Sequence, residues 1–393
     1  MIVATAFVLF MTPGLSFFYG GMVSYKNVIS TMLQSFIALG VISLLWYLVG
    51  FSLAFGESYH GLIGNPLTFF SFNNVGLAPN ADFSATIPFL IFALFQLKFA
   101  IITPALITGS FAERVKFTSY LIFMCLFSLF IYTPLAHWTW HPEGFLRQWG
   151  VLDFAGGTVV HMSAGFAALA GAYVLGKRET KNHQPANIPF IILGTGMLWF
   201  GWFGFNAGSA LAADGLAVQA FATTNMASAS AMITWVMFDA LVGRRISAMG
   251  ACIGAVVGLV AITPAAGFVT LGQSVFIGFV AAIVSNLAVY YKQRTSLDDT
   301  LDVFPCHGVG GIVGMLLTGV FAADVGLIHG DPTTFLYHLL AMVIVGAFTF
   351  FGSLLIFKIT SSITKLRVTR EEESIGLDIS QHAETLNVVP SSN

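Results

Sequence analysis

The sequence predicts an all-α integral membrane protein of eleven transmembrane helices. The N-terminus lies outside and the C-terminus inside. Ten of the helices form an inverted 5+5 repeat and one is extra. Three observations lead there. Of 393 residues, 56% are hydrophobic and 9% are charged, against about 25% charged in a soluble domain, so a water-facing surface could not be covered. Eleven stretches are apolar over the ~20 residues that a membrane crossing needs. The basic residues are sorted almost perfectly between alternate connections.

The spans run roughly over 1–23, 28–54, 88–111, 118–139, 153–176, 189–210, 217–242, 248–268, 271–291, 303–323 and 334–361. Residues 1–361 form the transmembrane domain and 362–393 a cytoplasmic tail. Gly and Pro interrupt the stretch from 248 to 291. Lys26 falls in the first connection, Arg114 and Lys116 in the third, and Lys177, Arg178 and Lys181 in the fifth. Arg244 and Arg245 fall in the seventh, Lys292 and Arg294 in the ninth, and Lys358, Lys365, Arg367 and Arg370 at the end of the last span and in the tail. The even connections hold only Arg147. Cytoplasmic loops carry the excess of Lys and Arg, so the odd connections are inside. A miscounted span would break the alternation.

Several function classes fall away. A net charge of −2 leaves no nucleic-acid footprint. Cys125, Cys252 and Cys306 sit in or beside apolar runs with no zinc spacing, and no metal or cofactor is expected. Met1 opens directly on an apolar run with no basic segment before it, so a cleavable signal peptide is not expected. No phosphate-binding GxxxxGK[ST] loop, HExxH or GxSxG occurs. The function therefore lies inside the helix bundle.

Ionisable groups are costly in lipid, by about 2.5–3.5 kcal/mol even on lenient scales, so Lys98, Asp153, His161 and His307 draw attention. His161 has Gly165 four residues on, and His307 has Gly311 four residues on with Gly314 beyond. Each pair occupies the last helix of its half, and a twofold axis in the membrane plane would bring the two histidines together. Such a pair can share a proton or contact a small neutral molecule. The plainer reading is a neutral histidine bonded to a carbonyl. On a continuous helix His161 would lie about 12 Å below Asp153. Asp153 reads as a helix cap at the outer interface, or as the support beneath an outer cation site. Trp138, Trp140 and Trp149 read as an interfacial belt, or one of them faces a cation through its ring. In the stretch WFGWFGFNAGSA, 199–210, Phe205 and Ser209 share a face, which suits a phenyl gate beneath a polar site or simple aromatic packing.

The segments DFAGGTVVHMSAG, GWFGFNAGSA, FAIITPALITGSFAERVKF, HGVGGIVGMLLTGVFAA and, in the tail, GLDISQHAE together resemble the signatures of the Amt/Mep/Rh ammonium transporter family, Amt-type, in the family's order and over essentially the whole chain. The resemblance implies that Trp140, Phe99 and Ser209 recruit ammonium in an outer vestibule supported by the buried Asp153. It implies that Phe99 and Phe205 gate it, and that His161 and His307, flanked by Trp202, line a hydrophobic pore that conducts ammonia and relays a proton. It also implies a homotrimer in a cell membrane, with a PII-type regulatory protein as a possible cytoplasmic partner. His382–Glu384 departs from the family by carrying Ala383 where glycine is frequent. Lys98 adjoins the gate and is expected to point about 100° away from Phe99. Two rivals are an ammonium sensor with little flux and an intramembrane enzyme. The second lacks a recognised nucleophile.

Overall fold

A computed structural model describes residues 1–180 and 184–386; Lys181 lies outside the described residues. A helix occupies each of the eleven expected positions. They are α1 (Ile2–Met22), α2 (Tyr25–Phe55), α3 (Phe89–Phe111), α4 (117–140, followed by a separate short turn of helix, Phe145–Gln148), α5 (Gly157–Leu175), α6 (Ile188–Gly208), α7 (Gly215–Leu241), α8 (Ala248–Ile262), α9 (Leu271–Lys292), α10 (Phe304–Phe321) and α11 (Thr333–Ile363). Among the described residues, nine of these are long and apolar enough to cross a membrane by length and composition alone. The other two are α7 and the 15-residue α8.

Several helices start where the side chain before them can accept the unpaired amides of a first turn. The Asn187 side chain accepts from Phe190 N, Asp214 from Ala217 N and Ser247 from Gly250 N, at 3.0, 3.0 and 2.9 Å. Thr270 and Gln273 exchange both bonds of a capping box at the start of α9. The helices are mostly apolar and meet through small residues. Along α1 and α6, a Cβ on Gly194 would come 2.3 Å from the amide nitrogen of Phe18. The connection after α2 carries two short hairpins, Ser58–Tyr59 with Ile63–Gly64 and Pro79–Asn80 with Ser84–Pro88.

Two expected spans are corrected. The fifth begins at Gly157, not 153. Gly156 stands at φ 121°, which an L side chain rarely adopts, and turns the chain before the helix starts. The 12 Å separation expected of a continuous helix therefore does not hold, because residues 153–156 are not helical. The eighth helix stops at Ile262 rather than 268. Pro264 has no amide hydrogen and disfavours helix in the residue before it.

The odd connections meet at one end of the bundle. Lys26 donates to the carbonyls of Glu373 and Ser374 in the tail at 3.2 and 2.6 Å. Arg114 donates to the carbonyl of Asp298 at 2.6 Å. Arg178 bridges Glu113 at 2.7 Å and Asp298 at 3.0 Å, with all three side chains buried. Burial alone would raise the Asp298 carboxyl, but its bonds from Arg178 and the charges of Arg178 and Arg114 hold it at about 2. Arg244 and Arg294 lie over one ring, Tyr290, at 4.8 and 3.3 Å. Tail helices α12 (Arg370–Ile375) and α13 (Leu377–His382) seat on this end. Asp378 accepts from the amides of Ile29 and Ser30 at 3.1 and 2.8 Å. Ala383 ends α13 at φ 56°, the left-handed region that favours glycine.

Candidate functional site

At the opposite end, a cavity of about 380 Å³ opens among Gln96, Phe99, Trp140, Asp153 and Ser209, roofed by Asp82 and Phe83 of the second hairpin. Its floor is aromatic. The Phe99 and Phe205 rings lie 4.1 Å apart at 32°, and Trp140 meets Phe99 edge-on at 5.8 Å. Phe205 and Ser209 share a face because they are one turn apart on α6; the Ser209 hydroxyl donates to the Phe205 carbonyl at 2.9 Å, which leaves its lone pairs free. Of the three tryptophans singled out in the sequence, only Trp140 lines this cavity. Trp138 donates to the Leu62 carbonyl at 2.7 Å and Trp149 stacks on Tyr337.

Asp153 is 7% exposed and caps α5 from outside it. Its carboxylate accepts the amides of Gly156, Gly157 and Thr158 at 2.8, 2.6 and 2.7 Å, and the Thr158 hydroxyl as well. Its carbonyl takes the Trp140 indole N–H at 3.1 Å. One residue thus orders both the helix that bears His161 and a ring of the vestibule wall. The helix opens as a π-turn over Gly157–Met162, with the His161 amide bonded to the Gly156 carbonyl five residues back at 3.1 Å. Such wide turns recur at functional sites.

Below the phenyl pair the passage narrows to a cavity of about 10 Å³, about the space one water-sized molecule occupies. Its lining is apolar, with residues such as Leu15, Val160 and Leu198, apart from Trp202, His161 and His307. The histidines meet Nδ1 to Nδ1 at 3.4 Å, 146 residues apart in sequence. Trp202 stacks on His161 at 5.3 Å and 20°. Lys98, by contrast, lines neither the vestibule nor the passage.

The two histidine helices are built alike. His307 also stands in a π-turn, Phe304–Val309. Asp299 precedes it by the interval that separates Asp153 from His161, and accepts the amides of Val303 and Phe304 at 3.1 and 2.8 Å. The helices cross through glycine. A Cβ on Gly165 would lie 2.2 Å from Gly308 N, and one on Gly311 3.2 Å from Met162 N. In both cases the residue four after one histidine rests on the residue immediately after the other. The sequence reading missed Asp299, although sliding the chain along itself by the histidine interval would have found it. It also missed Gln96 and Thr263. Gln96 lines the vestibule wall with its amide oxygen buried and unpartnered. Thr263 bonds both Trp202 and His161, at 2.9 and 3.3 Å. Nothing in its local sequence marks it.

A bundle with nine helices long and apolar enough to cross a membrane among the described residues defines a multi-pass membrane protein. Residues 1–386 match the Ammonium Transporter Family, and the chain belongs to it. It is 44% identical over 384 residues to the ammonium transporter of Bacillus subtilis, covering 95% of this chain and 94% of the relative. The crystal structure of Saccharomyces cerevisiae Mep2 superposes with a TM-score of 0.88 at 36% identity, covering 94% of this chain and 86% of Mep2. A structure described as a sensor Amt protein gives 0.90 at 33%, covering 97% and 96%.

Proposed function

We propose that the protein carries ammonium across a cell membrane, taking the ion at the aromatic vestibule and passing ammonia along the apolar passage, with the proton handed to the histidine pair. The observation that carries this reading is the Nδ1 contact of His161 and His307 inside a passage that is otherwise apolar and closed above by Phe99 and Phe205. Ammonium and potassium are close in size, so a sieve cannot separate them. A bare ion pays heavily to leave water, whereas ammonium can donate hydrogen bonds at the mouth and then lose a proton. Trp140, Phe99 and Ser209 suit the recruitment step, the first two through their ring faces and Ser209 through its free lone pairs. Asp153 supports them from behind. Trp202 keeps the imidazole plane of His161 in place.

On this reading the chain crosses the membrane eleven times, with its N-terminus outside and the tail from 362 inside as a separate cytoplasmic unit. The gathering of Lys26, Arg114, Arg178, Arg244 and Arg294 at the tail end supports that orientation. A homotrimer and a PII-type partner rest on the family resemblance alone. The test is uptake and current in proteoliposomes holding the purified protein, with ammonium, methylammonium and potassium. Ammonium and methylammonium flux with no potassium flux is the expected result. Equal potassium flux overturns the deprotonation step, and binding without flux overturns transport in favour of a sensor.

A further inference from the structure

We infer that Thr263 fixes the tautomers of the paired histidines, and so sets which end of the pair can accept the next proton; the functional meaning rests on the transport reading above. Thr263 follows the last residue of α8 and is fully buried. Three groups surround its hydroxyl oxygen: Trp202 Nε1 at 2.9 Å, His161 Nε2 at 3.3 Å and the Leu259 carbonyl at 2.8 Å. A hydroxyl brings one hydrogen and two lone pairs. The indole N–H can only donate and the carbonyl can only accept.

The carbonyl has a strong claim on the hydroxyl hydrogen. The Thr263 amide bonds to Val260 rather than to Leu259, at 3.2 Å, and the next residue is Pro264, which has no amide hydrogen. The Leu259 carbonyl oxygen lies 2.8 Å from the hydroxyl oxygen, and because a carbonyl cannot donate, the hydrogen between the two oxygens must be that of Thr263. With the hydrogen committed there, one lone pair takes the Trp202 N–H and the other takes a hydrogen from His161 Nε2.

The rest follows along the chain of bonds. A neutral imidazole carries one hydrogen. His161 holds its hydrogen on Nε2, so its Nδ1 is bare. The 3.4 Å contact between the two Nδ1 atoms then needs the hydrogen of His307, and His307 Nε2 is left bare. His307 also borders the small cavity below the passage, with Phe18, Tyr19 and Cys306. The pair thus offers a donor on the Thr263 side and an acceptor at His307.

This arrangement has a direction. A proton taken up at His307 Nε2 can move at once: the His307 Nδ1 hydrogen passes to His161 Nδ1, and the His161 Nε2 hydrogen leaves. A proton arriving from the vestibule finds Nε2 of His161 already occupied. For inward transfer the pair must start with the opposite tautomers. His161 Nε2 then gains the proton, its Nδ1 hydrogen crosses to His307 Nδ1, and the His307 Nε2 hydrogen is released. One proton enters, one leaves, and the pair ends in the arrangement that Thr263 holds. Thr263 therefore stabilises the state left after each inward proton, and the return from it is the step that Thr263 resists.

Nitrogen-15 magnetic resonance on the histidine-labelled full-length protein in bilayers tests this, because bare and protonated ring nitrogens resonate far apart. The expected wild-type spectrum has His161 protonated at Nε2 and His307 at Nδ1. Thr263→Val should lose this single arrangement, and Thr263→Ser should restore it. His161 protonated at Nδ1 in the wild type, or Thr263→Val with unchanged tautomers, overturns the assignment. Should the valine variant fail to fold, Trp202→Phe serves: it frees one lone pair of Thr263 and should leave the hydrogen on His161 Nε2, whereas a move to Nδ1 overturns the proposal. Wild-type proteoliposomes without ammonium flux would overturn the transport reading and leave the tautomer result standing. Flux with the opposite tautomers would overturn only the role of Thr263.

Discussion

Gly165→Ala puts the geometry of the histidine pair to a direct test. The added methyl would lie 2.2 Å from Gly308 N and 2.3 Å from Gly308 Cα, both backbone atoms that no rotamer change can move. Bringing the shorter contact to the 3.4 Å of ordinary packing means opening the crossing of α5 and α10 by about 1.2 Å. If the helices separate as rigid bodies, the 3.4 Å contact between His161 and His307 grows by a comparable amount and passes out of hydrogen-bond range. Overpacking of this kind costs about 1–3 kcal/mol. The expected outcome is a folded protein with a lowered melting temperature in detergent and at least a tenfold loss of methylammonium uptake in proteoliposomes. Gly40→Ala is the control, since nothing lies within 4 Å of its Cβ position. It should be neutral or stabilise by up to about 1 kcal/mol. Wild-type uptake and an unchanged melting temperature in Gly165→Ala would refute the argument that this crossing sets the distance between the rings.

Asp153→Ala removes the acceptor for three buried amides and a hydroxyl. At about 1–3 kcal/mol for each group left unpaired, with some relaxation, a loss of about 3–5 kcal/mol is expected in equilibrium unfolding, together with loss of uptake; Asp153→Asn, which keeps one acceptor oxygen, should lose less. Asp298→Asn breaks the buried pair with Arg178, at a cost of about 3–5 kcal/mol. The folded carboxyl lies at about 2, below the usual 3.8, so its contribution is fully present above pH 3.8 and fades as the pH falls through about 2. The difference in melting temperature between wild type and variant should therefore be flat from pH 5 to 8, and a difference that vanished near pH 6 would contradict it.

Much of this was legible in the sequence because the membrane imposes long-period rules. Helix positions followed from apolar length, and the gathering of Lys26, Arg114, Arg178 and Arg244 at one end of the bundle followed from alternation. His161 and His307 could be paired because each stands in an apolar stretch with a glycine four residues on. What stayed hidden was local and irregular. Asp153 reads as a cap on a continuous helix, but the positive φ of Gly156 and the π-turn after it were not legible. The end of α8 at Ile262 depends on Pro264, whose carbonyl then receives the Phe154 amide at 3.1 Å. Thr263 gains its importance only from partners 61 and 102 residues away.

The glycine crossing of α5 and α10 has a further consequence. Where helices meet through interlocking side chains, one can ratchet past the other as rotamers exchange. Gly165 and Gly308 meet backbone to backbone, with no side chain between them to yield. The crossing is a fixed fulcrum rather than a sliding joint, and the aperture beside it keeps its width while molecules pass. Throughput should then be limited by the jump of each molecule across the constriction, and should show the shallow temperature dependence of a pore rather than the steep one of a machine that rocks between two shapes.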